Sequence, residues 1–94
     1  MSEIKIVRMF TGEDVLCKVT IGTDKILIED AVVIVPTSQD SVQFVPYSPF
    51  TQKDSKLEIA HDKVMFISVP QNEFTNQHKQ MFGGIVAPDQ KIIV

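Results

Sequence analysis

Residues 11–35 read TGEDVLCKVTIGTDKILIEDAVVIV, and the fold is decided there. Val15, Cys17, Val19 and Ile21 fall at alternate positions with Lys18 and Thr20 between them, a period of two that fits a half-buried strand. Thr11, Gly12, Glu13 and Asp14 ahead of it are turn formers, and Gly22, Thr23 and Asp24 behind it supply a tight reversal. A long strand follows from Lys25, carrying Ile26, Ile28, Val32, Val33, Ile34 and Val35. The acidic pair Glu29-Asp30 in its middle predicts a bend or bulge, and Pro36 is expected to stop its ladder.

Working outward, residues 4–10 (IKIVRMF) are rich in β-branched side chains and form a first strand against the turn at Thr11. Downstream, residues 37–41 are a polar loop and residues 42–45 (VQFV) a further strand. Pro46 and Pro49, so close together, predict an edge or a sharp change of direction. After a polar stretch at 52–56, LEIA (57–60) and VMFISV (64–69) flank His61, Asp62 and Lys63 as a final short hairpin. Beyond Pro70 the period changes. Asn72 suits an N-cap, Glu73 the first turn and Gly83 a C-cap, while Phe74, His78, Met81 and Phe82 recur at helical spacing. A helix of about three turns is expected over 72–82. The tail, 83–94, returns to β character at Ile85-Val86 and at Ile92, Ile93 and Val94, turning at Pro88 and Asp89. Short strands with one helix predict a mainly β domain, a small barrel or sandwich with one C-terminal helix, spanning 1–94 as a single unit.

The composition agrees. Ninety-four residues suit one core, and 44% hydrophobic with 22% charged residues is a globular balance. Nine Lys plus Arg against twelve Asp plus Glu give a net charge of −3, opposite to the basic excess of most nucleic-acid binders, so any such site must be local. The longest apolar run is far below the roughly 20 residues that cross a bilayer, so no membrane association is expected. A single cysteine and the lack of a secretory leader pattern make the cytoplasm the expected location.

Catalytic and metal chemistry find little support. His61 and His78 lie in different elements, and one cysteine cannot supply the spacing of a zinc site. Cys17 shares the face of Val15 and Val19, which reads as core and not as a nucleophile. Gly83-Gly84 follows a helix, so it lacks the geometry that aims backbone N–H groups at phosphate. Neighbouring carboxylates in Glu13-Asp14 and Glu29-Asp30 face opposite ways along a strand. No cofactor, metal or enzymatic activity is expected. Two loops, Thr23-Asp24-Lys25 and His61-Asp62-Lys63, offer recognition groups on exposed turns.

At two places the chain resembles the Sm-like family of RNA-associated small β-barrels. Gly12 and Leu27-Ile28-Glu29-Asp30-Ala31 look like the family's first motif, in which a glycine opens the second strand and an apolar-Glu-Asp-Ala run closes the third. Residues 59–68, IAHDKVMFIS, are similar to the second motif: an apolar residue, Arg-Gly, two polar residues and an apolar strand. The likeness covers a little over a third of the chain, and within the family it is to Sm-like proteins of tailed cyanobacterial phages. Two departures stand out. Ala60 and His61 occupy the Arg-Gly positions, and Thr23, Asp24 and Lys25 match the family's base-contacting loop in position only.

The resemblance implies a small five-stranded, SH3-like barrel over about 3–69. It also implies a homo-oligomeric ring, in which the fourth strand of one subunit pairs with the fifth of the next. The implied ligand is single-stranded, U- or A-rich RNA at the pore, contacted by Thr23, Asp24, Lys25, His61, Asp62 and Lys63 with help from Tyr47. The alternative is a structural or adaptor ring without RNA, for phage assembly or for binding a host protein. Family members usually carry a helix before the barrel. Here it follows, and is expected to cover an open end of the barrel or to touch a neighbouring subunit.

Overall fold

The computed structural model describes residues 3–51 and 55–82. Six strands, β1 (Glu3–Met9), β2 (Asp14–Ile21), β3 (Lys25–Ser38), β4 (Ser41–Pro46), β5 (Leu57–Ala60) and β6 (Val64–Ser68), precede one helix, α1 (Asn72–Phe82). All the pairings are antiparallel and run β4-β3-β2-β1-β6, with β5 also on β3. β1 turns into β2 through Gly12, whose φ of +102° is a conformation that glycine adopts without strain. Its N–H donates to Met9 O at 2.8 Å and closes the turn.

The bend expected at Glu29-Asp30 is a bulge. Leu16 opposes Val32 and Lys18 opposes Glu29, so Cys17 alone faces both Asp30 and Ala31. Asp30 takes up the extra residue with a φ of +54°, a left-handed conformation that Asp tolerates better than most residues. β3 is thereby divided into two limbs. Lys25 to Ile28 pair with β5, and Val32 to Ser38 pair with β4. The edge strand along β3 is interrupted between Pro46 and Leu57, which makes six strands where five were expected. Pro36 does not end β3, because β2 pairs only as far as Val33 and a missing N–H beyond it costs no ladder bond on that side.

Residues 57–60 and 64–68 do not form a hairpin. β5 pairs with β3 and β6 with β1, joined by a 3₁₀ turn at His61–Lys63. Alternating apolar patterns call for a partner without naming it, so either pairing satisfies the pattern of these two strands. The turn also curls the sheet. His61 bonds to Gly22, just past the end of β2, while Lys63 O accepts from Phe10 N at 2.7 Å, in the turn that leads into β2. A straight eight-residue strand would hold those ends roughly 25 Å apart. Three 3₁₀ residues span only about 6 Å, so the strands must coil. The ladder nevertheless stays open, since β4 and β6 are not paired.

Two apolar layers result. On the concave face Val7, Met9, Val15, Cys17, Val19, Ile26 and Ile28 form the core, with Leu57, Ile59 and Ile67 packed against them. Ile21 continues the alternation but lies at the strand end, 62% exposed. Leu16 and Val32, cross-strand partners on the opposite face, are also buried. That face is covered by α1, which packs on β1 and β2 and sets Phe74 edge-to-face against Phe44 of β4 at 6.1 Å. The helix thus lies on the convex face of its own sheet. An amphipathic stripe specifies burial but not which surface provides it. Gln71 O accepts from the N–H groups of Phe74 and Thr75, making Asn72 the first helical residue and not the cap. The expected cap at Gly83 and the tail lie outside the described residues.

Burial pushes the Cys17 thiol up to about 12, so it is protonated and unreactive at neutral pH. Cys17→Ser replaces a small apolar group with a hydroxyl in the core, and is expected to lower stability by about 1–3 kcal/mol in urea unfolding. Wild-type protein should react with a thiol reagent only on unfolding. Fast labelling of the native protein, with an unchanged melting temperature in the variant, would place Cys17 on the wrong face.

Candidate functional site

The loops at 22–25 and 60–63 meet at one rim of the curled sheet. Lys25 and Ala60 are cross-strand partners, and a ring nitrogen of His61 (Nε2) lies 3.0 Å from Gly22 O, whose only role in that bond is acceptor. Thr23, Asp24, Lys25, His61, Asp62 and Lys63 are all exposed. The two recognition loops are therefore one surface within a single chain.

The charges there are mostly spoken for. Lys25 Nζ donates to Glu58 Oε1 at 2.9 Å, leaving little net field from that lysine. Asp24 and Asp62 add negative charge. Lys63 has no ion-pair partner among the described residues, and is the rim's one uncompensated cation. Tyr47 does not join this surface. It is half-buried and packed against the core, its N–H donates to Ala31 O at 3.0 Å, and no hydrogen bond ties it to either loop. Burial raises its hydroxyl pKa, with smaller upward contributions from Glu13 and Cys17.

The flanks of the sheet make a second candidate surface. Among the described residues β6 bonds only to β1, and β4 and β5 bond only to β3, so two edges there present backbone groups that no described strand pairs. Exposed apolar side chains line both: Val42 and Val45 on β4, Met65 (61% exposed) and Phe66 on β6, and Val69 just beyond. Phe66 is held in place. The Arg8 guanidinium lies 5.5 Å from its ring centroid, and Asp14 grips that guanidinium from below, with Nη2 to Oδ2 at 3.0 Å.

A third feature, a cleft of about 300 Å³, opens where β3 lacks an edge partner; Ile28, Ala31, Val32, Pro46, Leu57 and Phe82 give it an apolar lining. Among the described residues no group of three or more His, Cys, Asp or Glu could hold a metal ion. Nor is any helix there long and apolar enough to cross a membrane.

One site escaped the sequence altogether: His78 of α1 is fully buried against the β3 bulge. Its helical spacing with Phe74 and Phe82 and the bend at Glu29-Asp30 were both visible, but nothing in the sequence joined them. No protein-family model and no curated protein matches this chain.

Proposed function

We propose that this chain is an Sm-like domain that assembles into a homo-oligomeric ring and acts as a non-enzymatic scaffold. One observation carries the reading: among the described residues a single curled sheet ends in two unpaired apolar edges, β4 on one flank and β6 on the other. A head-to-tail contact between such edges satisfies both at once and, repeated around an axis, closes a ring. The strand order and the 3₁₀ turn before the last strand support the Sm-like assignment, as do Gly12 and the Glu29-Asp30-Ala31 bulge. For the occupant of the pore, the charges favour the adaptor reading. Asp24, Asp62 and Glu58 outweigh Lys25 and Lys63 on each subunit, and symmetry multiplies that balance.

Light scattering at micromolar concentration should give an integral multiple of the 10.6 kDa chain. Met65→Lys on β6 and Val42→Lys on β4 each place a charge on an edge, and each should shift the population to folded monomer. A wild-type monomer would overturn the ring.

Single-stranded RNA is the second reading, favoured by Lys63 and His61 lying exposed on the same rim. A collar of Lys63 side chains can hold phosphate, and His61 can stack on a base. Labelled oligo-U and oligo-A titrated at two salt concentrations decide it. If RNA binds, affinity should fall with salt by about 0.7 log units per log unit for each phosphate neutralised, and Lys63→Ala should flatten the slope. His61→Ala should weaken binding with less change in slope. The absence of any binding at low salt leaves the adaptor ring.

A further inference from the structure

His78 is the one buried polar side chain found among the described residues, enclosed between α1 and the sheet. Its Nε2 lies 2.8 Å from Asp30 O. A carbonyl can only accept, so Nε2 carries the hydrogen, and in the neutral ring Nδ1 is then a bare lone pair. That Nδ1 is buried and has no partner among the described residues. The Phe82 ring lies against the imidazole at 4.7 Å, and Phe74, one turn earlier, completes the stripe that holds the helix down.

A proton on Nδ1 would place a charge and an unmatched N–H donor in this enclosure. The charged groups of the surrounding elements offer little compensation. On the strands beneath α1 they are paired among themselves: Asp30 with Lys18 at 3.6 Å, Lys5 with Glu3 at 3.3 Å, and Arg8 with Asp14. Glu29 makes no hydrogen bond or ion pair with His78, and Glu73 and Lys79 of α1 are exposed.

We propose that His78 is a proton-operated latch for α1: neutral, it fastens the helix to the β3 bulge, and protonated, it lets the helix go. Release uncovers the convex apolar face around Leu16, Val32 and Phe44 while leaving the concave core in place. Burial lowers the pKa of His78, and Lys18 adds to that; the Asp30 carbonyl and carboxylate oppose it more weakly. A free histidine takes up its proton near pH 6.5, which the docked one resists. Docking is therefore at full strength above that pH, weakens as the pH falls from there to the lower docked value, and levels off below it.

Two measurements on the full chain test this. The first is the NMR titration of the His78 ring, which should show the Nε2–H tautomer and a midpoint below 6.5. The second is hydrogen exchange, corrected for intrinsic rates, from pH 7.5 to 5. Protection across 73–82 should fall, by up to about tenfold per pH unit within the window, while Val7, Val15 and Cys17 keep theirs. His78→Gln keeps a neutral donor toward Asp30 and should flatten the pH dependence. His78→Phe, which fills the site without a polar atom, should flatten it too and serves if the Gln variant folds poorly. A midpoint at or above 6.5, helix protection unchanged down to pH 5, or an equal loss in both variants overturns the latch.

Discussion

The structure hangs on the extra residue at Asp30. Without it β3 would run straight, and one partner strand would lie along its whole length. With it, the two limbs of β3 take separate partners, and the lower limb carries β5 round toward the 3₁₀ turn. The bulge also frees two carbonyls from the ladder. Ala31 O takes the N–H of Tyr47 and so anchors the chain where β4 ends, while Asp30 O takes His78 and so anchors the helix. One irregular residue thus positions the edge strand, the curl and the cover of the convex face. Its left-handed backbone is a modest strain, held by the partners on either side.

Curling sets the rim and the edges in fixed relation. Because His61 reaches Gly22 and Lys63 reaches Phe10, the recognition loops are tied to the backbone and not left to sample solvent. Groups held this way make a preorganised surface, whatever meets it. The same tie leaves β6 outermost on its flank among the described strands, with Phe66 steadied by Arg8. An edge strand whose side chains are already ordered loses less entropy when another strand adds to it.

Much of this could be read from the residues. The alternation in β2, the turn at Gly12, the bend at Glu29-Asp30 and the helix over 72–82 are local signals with local causes, and each lies where the pattern put it. The loops Thr23-Asp24-Lys25 and His61-Asp62-Lys63 were legible as a pair only through the Sm-like resemblance. Partner choice was not legible. The pattern of LEIA and VMFIS is the same whether they pair with each other or with β3 and β1. Leu16 shows the limit of alternation: it sits out of phase with Val15 and Cys17, yet it is as buried as they are because α1 covers it. The burial of His78 depends on that same cover, so no reading of the helix alone reaches it.

The order in which these pairings can form differs from their order in space. β1 to β4 are a meander of neighbours joined by short turns, whose closure costs little entropy. β6 must instead find β1 across more than fifty residues of chain, Ser68 against Ile6 and Val64 against Met9, and such distant contacts are made late. Until then β1 keeps a bare edge and Val7 lacks Ile67. The strand that fills this gap need not be the chain's own, because a second copy offers an identical β6. Strand exchange between copies thus competes with correct closure during folding, and the short 3₁₀ turn is the hinge about which it would take place.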